Sequence, residues 1–172
     1  MASEHIYKQY DSDLEAIRAK VLERGTLVEE QTSNAIQSLL ETDVKLAEKV
    51  IKKDAQINDL EVLIDEEASL LIAKRSPTAG DLRNIMMMLK IITDLERMGD
   101  EAAKIARSTT RIFEDNRMSK PKFNEIKGMA KPVQEMIKTA LNSFARLDLT
   151  DTIDILEKDK QVDDDYRSTM RE

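Results

Sequence analysis

The chain has 172 residues, of which 41% are apolar, 35% charged and 3% aromatic, with four glycines, three prolines and no cysteine. This composition excludes disulfides and thiolate metal sites and belongs to long helices, so the expected class is all-α. A formal charge of −7, with no basic stripe carrying interleaved aromatics, argues against nucleic acid as the main partner and leaves room for cations and basic protein surfaces.

The amino terminus, MASEHIYKQYDSD, lacks the apolar core of a secretory signal. The longest strictly apolar runs are about five residues, against roughly 20 for a bilayer span. A cytoplasmic protein without membrane insertion is therefore expected. The first helix is expected over residues 3–41, because Leu14, Ile17, Val21, Gly25, Val28, Thr32, Ile36 and Leu39 share one helical face. Thr42-Asp43 reads as a break, with Asp43 as N-cap. The second helix, residues 44–74, carries Val50, Ile57, Leu60, Ile64, Ala68 and Leu71. Arg75-Ser76-Pro77 stops it, since a residue before proline avoids the α region. Thr78 to Asp81 then resembles a capping box with Asp replacing the usual Glu.

The third helix, residues 81–108 continuing to about residue 115, organises the chain. Ile85, Met88, Leu89, Ile92, Gly99, Ala103 and Ala106 form its apolar stripe, and Glu96 and Asp100 fall inside that stripe. Carboxylates at i, i+4 on a buried face are costly unless something neutralises them. Residues 116–122, with Pro121, read as a loop. The fourth helix, residues 123–147, presents Ile126, Met129, Val133, Met136, Ala140, Leu141 and Phe144, and Pro132 predicts a kink or a late start. Residues 148–150 are a break. The fifth helix begins near Asp151 and runs to the end.

Short connections favour antiparallel neighbours. The first three helices read as an up-down-up bundle over residues 1–116, and residues 117–172 as the start of a second. An internal repeat supports this. Shifted by 105 residues, 18–67 aligns without gaps on 123–172: Val28 meets Val133, Glu30 meets Glu135, Ser38 meets Ser143, Asp43 meets Asp148, and Lys53-Asp54 meets Lys158-Asp159. About one position in five is identical, with matching breaks at Asp43 and Asp148. The copy stops at Glu172, opposite Glu67. On this reading the rest of the fifth helix and all of a sixth are missing. The fourth and fifth helices are then expected to pack on the first bundle or on another copy, with an exposed patch driving self-association.

The second helix also carries Glu61-x-x-x-Asp65 at the border of its stripe. If the second and third helices are antiparallel neighbours, Glu61, Asp65, Glu96 and Asp100 could converge on an ion. Fe, Mn, Mg and Zn all take oxygen ligands of this kind, and Gly99 would remove bulk beside it. The competing reading pairs Glu96 and Asp100 with Arg18, Lys20 or Arg24 of the first helix. His5, the only histidine, lies near the end and reads as no ligand. Met86-Met87-Met88 reads as packing through Met88. Arg75, Arg83 and Arg97 read as solvated or as partner contacts, and Asp159 and Asp163 as a solvated face. There is no Gly-rich phosphate loop and no Gly-x-Ser-x-Gly motif, and one histidine supports neither a hydrolytic triad nor Glu-x-x-His ligation.

Ile72-Ala-Lys-Arg-Ser-Pro-Thr-Ala-Gly-Asp-Leu-Arg83, followed by Asp94-Leu-Glu-Arg-Met-Gly-Asp100 and preceded by Glu61 and Asp65, resembles the PhoU family. The resemblance covers essentially the whole chain. It implies tandem three-helix bundles, the second incomplete here. It also implies a non-enzymatic cytoplasmic regulator of phosphate uptake and of the phosphate-starvation (Pho regulon) response. Such proteins act between the Pst phosphate ABC transporter, through its ATPase PstB, and the sensor histidine kinase PhoR, favouring the repressing state when phosphate suffices. The resemblance places metal, including iron, on Glu/Asp-x-x-x-Asp motifs, which here are Glu61, Asp65, Glu96 and Asp100. No organic cofactor and a homodimer are expected. In the second copy Tyr166 and Met170 stand opposite Glu61 and Asp65, with Asp159 and Asp163 the nearest substitutes. The competing functions are a metal-dependent helical-bundle enzyme or metal store, and a helical scaffold whose acids only form salt bridges.

Overall fold

The computed structural model describes residues 2–113 and 123–171, with side chains from residue 9 onward. These residues form α1 (Ala2–Glu41), α2 (Val44–Arg75), α3 (Ala79–Phe113), α4 (Asn124–Arg146) and α5 (Thr152–Thr169), and no strand occurs among them. The protein is all-α. The expected loop over 116–122 and the His5 side chain lie outside the described residues.

Local chemistry ends each helix close to where the sequence places it. Thr42 takes φ 60°, and the next amide, Asp43 N–H, donates to the Ser38 carbonyl at 2.9 Å. The Asp43 carboxylate accepts from Leu46 N–H at 3.0 Å, capping α2. Ser76, at φ 44°, closes α2 by donating its N–H to the Ile72 carbonyl at 3.1 Å, ahead of Pro77. The expected capping box differs in form. Thr78 Oγ1 donates to the Asp81 carboxylate at 2.7 Å, side chain to side chain, rather than accepting a backbone amide.

α1, α2 and α3 pack against one another around Val21, Val28, Ile64 and Ile85. The apolar stripes read from spacing are the buried faces of these helices, with Leu14, Leu60 and Leu89 at the margin. Each fully buried Val or Ile contributes about 1.5–3 kcal/mol by leaving water. α4 packs on α1, and α5 on α4. The first alternative for the fourth helix, packing on the first bundle, therefore holds. α4 runs unbroken through Pro132, so it does not start late. Proline lacks an N–H to offer the carbonyl four residues earlier, at Gly128, which is exposed and free to bind water.

The 105-residue repeat is structural. Leu147, the counterpart of Thr42, also takes a positive φ, 52°, and Asp148 N–H donates to the Ser143 carbonyl at 3.0 Å, as Asp43 does to Ser38. Lys53 pairs with Glu30 at 3.0 Å between α1 and α2, and its counterpart Lys158 pairs with Glu135 at 2.9 Å between α4 and α5. Lys158 also holds Asp154 at 2.8 Å, and hydrogen bonds to both carboxylates push its ammonium above the usual lysine range. Past the turn the copies differ. Asp43 caps α2 directly, whereas Asp148 accepts from Thr150 N–H and its hydroxyl, and α5 begins only at Thr152.

Two features of α1 set how its neighbours sit. Arg24 is fully buried, and it donates from Nη1 to the Ile57 carbonyl at 3.0 Å and from Nη2 to Glu61 at 2.9 Å. Gly25, buried, leaves the space that Leu141 of α4 enters; a Cβ there would collide with that side chain. Arg18 completes the α1–α4 seam by donating to the last-turn carbonyls of Phe144, at 3.1 Å, and Ala145, at 2.6 Å.

Arg24→Ala is expected to lower stability by ~2–4 kcal/mol through lost volume and an uncompensated Glu61. Arg24→Met should recover at least half, because Glu61 is half-buried and can regain water. Urea unfolding followed by circular dichroism decides it, and equal losses would show that the ion pair outweighs the volume. Gly25→Val should cost ~1–3 kcal/mol by pushing α4 off α1, and adding Leu141→Ala should restore part of the loss in the same assay.

Candidate functional site

The carboxylates singled out in the sequence line the seam between α2 and α3. Glu61 is half-buried, Asp65 exposed, and Glu96 and Asp100 half-buried. Contacts from α1 to each of these helices set the register of the seam. Arg24 joins Glu61, and Gln31 Nε2 donates to Asp54 at 2.9 Å. Gly99 of α3 lies against Gln31 and Asp54, and Ser38 against Thr109 at 3.4 Å. With Asp54 near the level of Gly99 and the two helices antiparallel, each step forward on α2 is a step back on α3.

The two Glu-x-x-x-Asp pairs therefore run in opposite directions. Glu61 and Glu96 come within roughly a turn of one level, while Asp65 and Asp100 diverge to about 18 Å apart along the axis at ~1.5 Å per residue. Among the described residues no three His, Cys, Asp or Glu side chains come close enough to hold an ion. Antiparallel order thus spreads Glu61, Asp65, Glu96 and Asp100, which the sequence could gather on one ion, into a ribbon. As they stand, the four supply only part of a coordination shell at any one level of the seam.

The basic side chains offered as partners of Glu96 and Asp100 are engaged elsewhere. Arg24 is on Glu61, Lys20 on Glu67, and Arg18 on Glu15 and the end of α4. Among the described residues Asp65, Glu96 and Asp100 form no ion pair. Gly99 makes room for Gln31, whose Oε1 would stand 3.2 Å from a Cβ placed there and has no hydrogen-bond partner. The glycine thus serves a buried amide, where the sequence suggested space beside an ion. Flipping that amide would turn its oxygen onto the Asp54 carboxylate, which its Nε2 now satisfies.

Asp54 is the seam residue that sequence reasoning missed. It lies seven residues before Glu61, so extending the Glu61 stripe by two turns would have reached it. Elsewhere the residues sit where their spacing puts them. Met88 is buried while Met86 and Met87 are exposed, Asp163 sits 3.5 Å from Arg167 on an exposed face, and Asp159 is exposed. Arg83 and Arg97 are exposed, and Arg75 reaches Asp13 at 3.4 Å.

A second feature is a groove of about 540 Å³ between α1, α3 and α4, lined by Ile36, Met98, Ala102, Ile105, Met129 and Val133. It exists because α4 packs on α1 and not on α3. Its apolar walls suit a helix or another apolar body rather than bond-making chemistry.

Residues 21–109, spanning all of this seam, match the family model of the PhoU domain. The chain is 39% identical over 168 residues to the phosphate-specific transport system accessory protein PhoU homolog of Pseudomonas aeruginosa, covering 98% of this chain and 69% of that protein. It is 38% identical over 170 residues to the accessory protein PhoU of Escherichia coli K12, covering 99% and 70%. The crystal structure of PhoU from Pseudomonas aeruginosa superposes with a TM-score of 0.89 at 38% identity, over 94% of this chain and 77% of that one. Helix order, the Asp94 to Asp100 segment on its acidic seam and these matches agree: the chain belongs to the PhoU family.

Proposed function

We propose that this protein is a regulatory accessory of phosphate-specific transport, acting by binding rather than by catalysis. The observation that carries this reading is near-whole-chain similarity to proteins named as accessories of the phosphate-specific transport system. Within it, the chain is an adaptor between the Pst transporter ATPase, PstB, and the sensor kinase PhoR, in the cytoplasm. No helix among the described residues is long and apolar enough to cross a membrane, which accords with contact to a transporter from outside the bilayer.

An adaptor without chemistry can shift a partner only by preferring one of its states. A tenfold preference corresponds to about 1.4 kcal/mol. The half-buried acidic seam and the apolar groove are the surfaces that offer such contacts. Immobilised protein is expected to retain the transporter ATPase and the kinase with at least tenfold more capture at high than at low phosphate. Equal capture at both concentrations, or none, sinks the adaptor reading.

A metal-bound form is a second reading, favoured by Glu96 and Asp100 being half-buried without an ion pair among the described residues. Because the four acids do not converge, an ion there would draw its remaining ligands from water or a second chain. Fe, Mn, Zn and Mg all tolerate that. Protein purified without added metal should carry more metal than Glu96→Ala and Asp100→Ala variants, measured by elemental analysis. Metal equal to the variants removes this reading and leaves the adaptor untouched.

A further inference from the structure

Two rows of side chains wall the seam between α2 and α3. On α3, steps of four and three residues that keep to one face run Leu82, Met86, Leu89, Thr93, Glu96 and Asp100. This row is apolar where it starts and acidic where it ends, and Leu82 and Met86 are 37% and 54% exposed. The facing row on α2 carries Asp54, Glu61 and Asp65, with Val62, 58% exposed, beside it. In the antiparallel register Val62 comes near the level of Leu89. Arg24 answers Glu61 from the interior. Asp54, Asp65, Glu96 and Asp100 have no basic partner among the described residues, and Lys104, one turn past Asp100, is held by Glu101 at 2.7 Å.

The floor of the seam points the same way. Gln31 is 2% exposed, and its Oε1 stands against Gly99 with no donor. Its Nε2 already serves Asp54. The unanswered groups are thus acceptors, carboxylates and a buried amide oxygen, and what completes them is positively charged and rich in N–H donors. The seam is open to such a body. Among the described residues α4 packs on α1 and α5 on α4, so neither covers it. The groove between α1, α3 and α4 takes Met98 and Ile105 from α3. At about 100° per residue, Met98 lies about 200° round the helix from Asp100, and Ile105 about 180° from Glu96. Seam and groove are therefore on opposite sides of α3.

We propose that the α2–α3 seam receives an amphipathic helix of a partner protein, with Lys or Arg side chains against its acids and apolar side chains against Leu82, Met86 and Val62. A lone ion would meet the acids and leave the apolar half of the row uncovered. A helix meets both, because Leu82 to Asp100 spans ~27 Å at ~1.5 Å per residue, about five turns. The two ends of the seam differ in chemistry, so the bound helix runs in one direction only. This rests on the reading of the protein as an adaptor and gives the chemistry of one of its partner contacts. Capture of the transporter ATPase or the kinase could still proceed through the apolar groove, so the two readings fail separately.

The test is fluorescence anisotropy of a labelled, Ala-rich helical peptide of about five turns, titrated with the full chain. The peptide carries Leu on one face of its first half and Lys on the same face of its second half. Binding should saturate at micromolar protein in ~50 mM salt and weaken at least tenfold in ~500 mM, since screening weakens exposed pairs. A peptide of the same composition, with Leu and Lys spread around the helix, should bind at least tenfold more weakly. Glu96→Gln with Asp100→Asn should cost at least tenfold. Glu23→Gln with Glu48→Gln makes the same charge change on exposed acids of α1 and the start of α2, and should cost less than twofold. Val62→Ser with Met86→Ser, at exposed sites, should weaken binding about threefold or more and leave its salt dependence unchanged. Circular dichroism should show each variant as helical as the natural chain. No binding of the patterned peptide, equal binding of the spread one, or equal loss from the two charge pairs would each overturn the proposal. So would manganese binding that is lost in Glu96→Gln with Asp100→Asn while the peptide never binds, because the seam would then be an ion site alone.

Discussion

A guanidinium with no access to water constrains this fold. Arg24 lies among Val21, Val28 and Ile64 and must have its charge met from within. Only α2 meets it, through the Ile57 carbonyl and Glu61. That pairing fixes how far along α1 the second helix sits. The Gln31–Asp54 bond repeats the same register two turns further on. Once α2 is placed, Gly99 can settle against Gln31 and Asp54, and the order of acids along the α2–α3 seam is set with it.

Much of this was legible in periodicity alone. The stripes on α1, α2 and α3 were read from spacing and are the buried faces, because a helix that buries one side must repeat near 3.6 residues. Asp43 was readable as a cap because its side chain needs only the amides just ahead of it. These are local facts. Arg24 was not legible in the same way. Its spacing from Val21 and Val28 puts it on the stripe, but which neighbour answers its charge depends on the rotation of α1 about its axis. The sequence offered α3 as the partner, and the structure gives α2. The spread of the acids into a ribbon was hidden for a related reason. A pair at i, i+4 shows that two carboxylates share a face, and the direction of the opposing helix decides whether two such pairs meet. Gly99 and Gln31 could be linked only through three-dimensional register.

The α4–α5 hairpin carries the imprint of α1–α2 more faithfully in its hydrogen bonds than in its residues. The Lys53–Glu30 and Lys158–Glu135 pairs occupy equivalent places and lock equivalent helices. Burial is far less symmetric. α2 buries six residues and α5 none. α5 thus rests on α4 through partly buried side chains such as Ile155 and Val162, without burying any completely.

The two helix ends at Thr42 and Leu147 show how such asymmetry is tolerated. Both residues adopt a left-handed backbone that glycine would take with less strain, and neither is glycine. What is shared is the amide of the following Asp donating to the carbonyl of Ser38 or Ser143. That bond uses main-chain atoms alone. A chain reversal held in this way places no demand on the side chain at its apex, where threonine and leucine serve alike. Duplicated halves can then drift apart in composition, and even in burial, while each still folds back at the same step along its length.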